Sequence, residues 1–318
     1  MKIAVTGANG FLGRYIVDEL IKRNEDVRVI VRSDADLPFD TRKVQVMKGD
    51  FTRHEDALKF LTGCDALIHA AAVTAVNLID SREYFRVNTE ATRRLVELCD
   101  ELQIDRLVYV STVNTIGHGN KQLPAAENAP MKEPFSSSWY AQSKKKAETF
   151  VEAYSTKAHK HVIILHPAFL IGDRNRKSGS GKLIGMGYRK RNLYIPRGGK
   201  NFVDVRSVAY AACNALTRGS NGDHYILGGE NLSFKSFFKK LRQVGNYRQN
   251  IYLLPDWLIL LAGKAGDFLR FIHIPTELCS RNLKQLLVRE YYQSDKAKNE
   301  LAFPYIKIDK TLEGVLKN

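Results

Sequence analysis

The sequence predicts an α/β fold, a doubly wound parallel sheet followed by a smaller C-terminal lobe, and three observations predict it. Short apolar runs alternate with helix-period segments through the first half of the chain. Those runs are apolar throughout rather than alternating. The first of them ends in glycines at three-residue spacing. Strands buried on both faces by flanking helices need this composition.

The elements follow in order. Ile3 to Val5 form a short strand before Thr6. Phe11 to Arg23 has helical spacing, with Phe11, Ile16 and Leu20 apolar and Arg14, Asp18 and Lys22 between them. Residues 27–31 (VRVIV) are β-branched and strand-like, and 44–47 (VQVM) form a third strand. His54 to Leu61 is a short helix, 66–71 (ALIHAA) a strand, Val87 to Leu102 a helix and 106–112 (RLVYVST) a strand. Trp139 to Ala158 is a helix, and 161–167 (HVIILHP) is a strand closed by proline. After Pro167 glycine-rich loops separate short elements, and the tail is mostly helical. This divides the chain into a dinucleotide-binding unit over 1–166 and a mainly substrate-binding lobe over 167–318. A segment near 200–215 is expected to return to the first unit. Ligands of such sheets bind at the carboxyl ends of the strands, so a lobe packed there closes a cleft.

Composition limits the alternatives. With 318 residues and 44% apolar content, the chain can bury a large core. Cys64, Cys99, Cys213 and Cys279 are far apart, with no C-x-x-C pair. They read as reduced, buried thiols rather than a zinc site or a disulfide framework. The start lacks the apolar stretch of a signal peptide. The longest apolar run, Trp257 to Ala262, is too short to span a bilayer. A cytoplasmic protein is expected. The net charge of +15 raises nucleic acid or an anionic membrane as partners. Between Asp173 and Lys200 lie nine basic residues and one acid. This stretch reads as a solvated basic face, or as an attractor for an anionic substrate. Nucleic acid is not expected, because no recognition module or interleaved stacking aromatics accompany the charge.

The first glycines carry the chemistry. Thr6 leads into Gly7, Gly10 and Gly13, with Asn9, Phe11 and Leu12 between. Strand, glycine turn and helix form a phosphate cradle. Glycine permits the tight turn and the close approach of backbone N–H groups to a pyrophosphate, and the helix dipole favours the anion. After the second strand stands Arg32 rather than an acid. An acid there suits the ribose 2′-hydroxyl of NAD, whereas a guanidinium matches a 2′-phosphate. NADP(H) is therefore preferred over NAD(H). Asp50, beside Phe51 after the third strand, is placed to meet the adenine amino group or to serve as a turn acid.

Tyr140 and Lys144 are four residues apart, which puts both on one helix face. An ammonium near a phenol favours its anion, so the pair can exchange a proton with a substrate oxygen.

With these motifs in order, the whole chain resembles the extended short-chain dehydrogenase/reductase family, of the NAD-dependent epimerase/dehydratase type. TGANGFLG, HAAA at 69–72, VNTEATRRLVE from Val87, YVSTVNTIG from Tyr109, YAQSKKKAE from Tyr140, HPAFLIG at 166–172 and NFVDVRSVAYA at 201–211 carry the likeness. Its tail is similar to dihydroflavonol-reductase-like and hydroxysteroid-dehydrogenase-like members. The resemblance implies a Rossmann-type sheet, with Tyr140 as proton donor or acceptor and Lys144 holding the nicotinamide ribose and lowering the tyrosine pKa. It implies a hydroxyl from Ser111 or Thr112 on the substrate oxygen, Thr112 being favoured by the position of Gly117. It places Ala70, Ala71, Ala72 and Pro167 beside the cofactor, His69 nearby, and Asn88 as an ordering residue or an inert helix-face asparagine. Two departures weigh against sugar-nucleotide binding: His166 stands for the usual arginine and Ser207 for an acid. Neither His166 nor His118 has metal-ligating company in the sequence, and no metal is expected.

The function so implied is NADP(H)-dependent reduction of a ketone or aldehyde, or oxidation of the alcohol. The alternatives are a nucleotide-sugar epimerase or dehydratase with tightly held NAD, and a non-catalytic NADP(H)-binding scaffold or sensor. Family members also form homodimers through a helix pair that includes the Tyr/Lys helix. Finally, Trp257, Leu261, Ala265, Phe268 and Ile272 share one helix face, which reads as core. Ile259 and Leu260 fall opposite and need cover from a dimer contact, a greasy substrate mouth or a peripheral membrane contact.

Overall fold

A computed structural model describes the chain except residues 34–36, 76, 77, 79, 174–178, 275 and 318. Arg174, Arg176 and Lys177 of the basic stretch, and Asp34, lie outside the described residues. The first half reads β1 (Lys2–Thr6), α1 (Phe11–Lys22), β2 (Asp26–Val31), β3 (Val44–Lys48), α2 (His54–Leu61) and β4 (Ala66–His69). It continues with α3 (Arg82–Tyr84), a π-helical turn (Phe85–Glu90), α4 (Ala91–Glu101), β5 (Arg106–Val110), α5 (Trp139–Ser155) and β6 (His161–Pro167). Then come β7 (Phe169–Ile171), α6 (Ser180–Gly187), β8 (Asn192–Ile195), β9 (Gly199–Asp204), α7 (Val205–Asn214), β10 (His224–Leu227) and β11 (Glu230–Ser233). The tail holds α8 (Phe234–Val244), β12 (Asn250–Leu253), α9 (Asp256–Phe271), α10 (Ser280–Gln285), β13 (Arg289–Glu290), α11 (Asp295–Glu300) and α12 (Ile308–Lys317).

Seven parallel strands make one sheet in the order β10-β6-β5-β4-β1-β2-β3. The order reverses between β1 and β4, and a doubly wound sheet binds its ligand at that reversal. Val5, Ile68, Val108 and Ile163 point to one buried layer and Ala4, Leu67, Leu107 and Ile164 to the other. Burial on both faces is why these strands carry no polar alternation.

The return to the main sheet is longer than the 200–215 expected from the sequence. Helix α7 packs on α1, and β10 supplies the seventh strand beside β6. The strand HYIL is short, and nothing local distinguishes it from the neighbouring lobe strands. The remaining strands form two small sheets, β11-β9-β13 with β7 on β9, and the pair β8–β12. They enclose a separate core around Phe202, Phe237 and Phe238, in which the Phe202 and Phe237 rings stack at 4.4 Å.

Two helices differ from the sequence expectation. The segment 87–102 is not one regular helix, because a π turn precedes α4. Helix α9 presents the opposite face: Ile259, Gly263 and Gly266 are buried, while Trp257, Leu261 and Phe268 are exposed. The glycines decide it. A Cβ at Gly266 would lie 1.4 Å from the Leu278 carbonyl oxygen, and one at Gly263 2.9 Å from the Ser280 Cα. Helix α9 thus rests on the α10 segment along a side-chain-poor line, where backbones meet.

Candidate active site

The glycine turn sits at the carboxyl end of β1. Gly7 has φ +73°, and a Cβ there would come within 2.7 Å of the Ala71 nitrogen. A Cβ at Gly13 would lie 1.9 Å from the Gly7 carbonyl oxygen. The turn is therefore drawn tightly against both α1 and the segment after β4. Gly10 caps α1 with no side chain over its N-terminus, leaving the positive end of the dipole for an anion. Asn9 is exposed, Leu12 is buried, and Phe11 packs edge-on against Tyr15 with ring centroids 6.0 Å apart.

His69 locks the turn. Its Nδ1 pairs with Thr6 Oγ1 at 2.6 Å and its Nε2 with Thr92 Oγ1 at 2.9 Å. Thr92 already donates its hydroxyl proton to the Asn88 carbonyl. Nε2–H must then donate to Thr92, and Nδ1 accepts from Thr6. Thr6 Oγ1 in turn accepts from Ala71 N–H at 3.3 Å. Burial holds His69 neutral, with its pKa lowered to about 3. Ala70 and Ala72 are half-buried and Ala71 is buried along the same edge; Pro167 is buried at the end of β6.

At the ends of β2 and β3, Arg32 is exposed and Asp50 half-buried. Burial opposes ionisation of Asp50, but hydrogen bonds from Thr52 and the charges of Arg32 and Arg86 outweigh it and lower its pKa. Arg86 is a neighbour that sequence reasoning missed. It lies on the π turn, whose placement beside β3 follows only from the sheet order. Phe51 packs edge-on to His69 at 5.8 Å.

Tyr140 occupies the first turn of α5, which is capped by Ser138. Burial raises the Tyr140 pKa to about 12, and the Thr112 hydroxyl opposes that rise. Of the two candidate hydroxyls, Thr112 is therefore the one beside the phenol. Ser111 is turned the other way and donates to Glu148. Lys144 is buried, donates to the Val110 carbonyl at 2.7 Å and lies over the Tyr109 ring at 4.1 Å. Burial lowers its pKa to about 7. Burial governs both groups, and the ammonium is directed at the Val110 carbonyl. Asn88 is no inert surface residue. It brackets the Val73 backbone, accepting from N–H at 2.7 Å and donating to the carbonyl at 3.1 Å, and also donates to Ser143 Oγ. It ties the segment after β4 to α5, from within the π turn, a distortion common at functional sites.

Behind Thr112 lies a buried polar chain. Glu148, one turn beyond Lys144, accepts from Ser111, from Thr115 Oγ1 at 2.7 Å and from Lys145 Nζ at 2.9 Å. His166 Nδ1 lies 3.1 Å from the Thr112 carbonyl, its Nε2 lies 2.8 Å from His224 Nδ1, and His224 Nε2 faces Glu152 at 3.3 Å. So His166 does have titratable company, contrary to the sequence reading. Glu148, His166 and His224 offer donor atoms within 4.8 Å of one another. Glu148 faces Nδ1 of His166 and His224 faces Nε2, so the imidazole links the two along the chain. Burial lowers the His166 pKa to about 4. Glu148 could have been suspected from its i+4 spacing to Lys144; His224 could not, because β10 reaches β6 only in the folded sheet.

A cavity of about 480 Å³ opens beside the start of α5, lined among others by Trp139, Phe271, Arg270, Arg281 and Lys284. The Arg281 guanidinium stacks on the Trp139 ring at 3.8 Å. Of the basic stretch, Lys182 pairs with Glu277 at 2.6 Å and Lys200 pairs with Glu290.

The comparisons agree with this architecture. Residues 3–228 match the model of the NAD dependent epimerase/dehydratase family. A 4-hydroxy-2-methyl-3-oxo-4-farnesyl-3,4-dihydroquinoline-1-oxide ketoreductase of Stigmatella aurantiaca is 28% identical, over 95% of this chain and 92% of its own. A decarboxylating sterol-4-alpha-carboxylate 3-dehydrogenase of Dictyostelium discoideum is 26% identical over 74% of each. Among solved structures, gox2253 superposes with a TM-score of 0.82 at 26% identity, covering 99% of this chain and 96% of that one. A UDP-glucose 4-epimerase of Thermotoga maritima superposes at 0.80 with 18% identity, covering 100% and 98%, a likeness of fold alone. The chain belongs to the NAD-dependent epimerase/dehydratase family and is an NAD(P)-dependent oxidoreductase of the extended short-chain dehydrogenase/reductase type.

Proposed function

We propose that the protein is an NADP(H)-dependent reductase of a lipophilic ketone. The observation that carries the chemistry is the Thr112 hydroxyl beside the half-buried Tyr140 phenol. A phenol held protonated at neutral pH is a donor in the state that reduction requires. Thr112 and Tyr140 together hydrogen-bond the carbonyl oxygen of the substrate, and Tyr140 gives it a proton as charge develops there. Lys144, buried on the same helix face, orients the ribose next to this pair. The turn of Gly7, Gly10 and Gly13 suits a pyrophosphate because glycines alone let its backbone pack this tightly against α1 and the segment after β4, at a helix N-terminus that no side chain caps. When bound, the dinucleotide supplies the hydride. Arg32, exposed at the end of β2, favours the extra phosphate of NADP(H) by charge.

The lipophilic substrate rests on the cavity lined by Trp139 and Phe271 and on the farnesyl-quinoline and sterol compounds in the relatives' names. Arg281 and Lys284 in its wall accommodate a carboxylate or similar anion.

The test is a fluorescence titration of nucleotide-stripped protein with NADPH and with NADH. Tighter NADPH binding that weakens at least tenfold in Arg32→Ala supports the reading. A preference for NADH removes the Arg32 argument and favours an epimerase or dehydratase. Binding of neither removes the enzyme.

A further inference from the structure

Helix α9 has an unusual surface. Trp257, Leu261, Phe268 and Phe271 are 64%, 56%, 63% and 79% exposed, and Leu258 and Ile272 are exposed beside them. Scattered exposed apolar residues need no explanation, but a contiguous set marks a contact surface. The helix is about 24 Å long at 1.5 Å per residue. Its buried line is Ile259, Gly263 and Gly266, Asp267 accepts from Ser280 N–H, Arg270 donates to the Thr276 carbonyl, and the exposed apolar side chains form a ridge along the outer side.

Cationic side chains lie beside β12, the strand that precedes α9 in the chain. Strand β12 leads directly into α9, and its Tyr252 stacks on Tyr194 of β8 at 5.2 Å, both rings exposed. Tyr252 also lines a groove of about 370 Å³ with Lys235, Lys239 and Arg242. Those three fall at i, i+4 and i+7 of α8, on one face. Lys235 and Lys239 have no acid partner among the described residues. Two acids of the α9–α10 segment are engaged: Asp267 accepts from Ser280 N–H, and Glu277 pairs with Lys182. Asp256 lies in the first turn of α9.

We propose that the α9 ridge and the α8 groove dock together on the surface of an anionic lipid bilayer, with the apolar side chains at the acyl boundary and the lysines on lipid phosphates. A protruding apolar helix beside basic residues suits that interface. Among the described residues no helix is long and apolar enough to cross a membrane, so the contact lies in the surface plane. The net charge of +15 draws the protein to an anionic surface and opposes the approach of a second copy. Resting further on the reductase reading, the docked helix brings the cavity, which Phe271 also lines, to the layer where a lipophilic ketone dissolves.

The experiment is co-sedimentation of the full chain with vesicles of phosphatidylcholine, with and without phosphatidylglycerol. Pelleting is expected with the anionic vesicles and little with the neutral ones. Leu261→Glu with Phe268→Glu, both at exposed positions, should weaken pelleting at least tenfold while circular dichroism stays unchanged. Lys235→Gln with Lys239→Gln should weaken it about twenty-five-fold, roughly fivefold for each charge removed. Tyr140→Phe should pellet as wild type does, so a failed cofactor titration and a failed docking experiment are told apart. Absence of pelleting by wild-type protein overturns the proposal, as does pelleting that survives the two glutamates. A dimer seen by light scattering that the glutamates dissociate assigns the ridge to a second copy and also overturns it.

Discussion

At the residue scale, environment separates side chains that look alike in sequence. Ser111 and Thr112 are adjacent hydroxyls, yet the extended backbone just beyond β5 sends the first to Glu148 and leaves the second beside Tyr140. Their substitutions should therefore diverge. Thr112→Val should lower turnover with an accepted ketone and leave the urea midpoint nearly unchanged. Ser111→Ala should remove a hydrogen bond to a buried carboxylate and cost about 1–3 kcal/mol of stability. Equal effects on both measurements would remove the distinction. Tyr140→Phe should lower turnover by about 10²–10⁴-fold, the usual worth of a positioned proton donor, with NADPH affinity retained in the titration.

At the element scale, the glycine turn and α9 show backbones meeting where side chains cannot fit. Gly13 lies on the buried side of α1, against the Gly7 carbonyl. Gly13→Ala should push α1 off β1, weakening NADPH binding at least tenfold and lowering the thermal midpoint. A variant with unchanged dinucleotide affinity would show that the turn does not hold the pyrophosphate. The π turn is the same lesson for hydrogen bonding. The extra residue in the helical turn sets Asn88 against the Val73 backbone, and helix periodicity alone would have run straight through it.

At the scale of the whole molecule, buried histidines set the pH dependence of stability. Burial lowers His69 to about 3 and His166 to about 4, from an ordinary value of 6.5. Between those values and 6.5 the unfolded chain binds more protons than the native one. Stability therefore rises with pH across that window and is lost on acidification. His166 is faced by Glu148 and Lys145 of α5, the Thr112 carbonyl, Thr115 and His224, and burial outweighs the attraction of Glu148. Urea midpoints should fall between pH 7 and pH 5, by an amount worth a few kcal/mol. A flat profile would mean that neither imidazole is held neutral by burial.

The sequence by itself determined the features that rest on local pattern. Apolar runs and helical spacing marked six of the seven strands of the parallel sheet and the main helices between them to within a few residues, because each is defined by its own period. The glycine turn and the Tyr140–Lys144 pair were legible because a turn and a helix face fix their neighbours locally. Tertiary structure alone decided what depends on residues distant in the chain. It brought His224 to His166 through the β10–β6 pairing and Arg86 to Asp50 across the sheet edge. It also chose which face of α9 is buried, since the apolar stripe and the glycine line both fit a helix and only the close approach of the Leu278–Ser280 backbone selects between them. Periodicity records which side chains share a face; packing decides what that face meets.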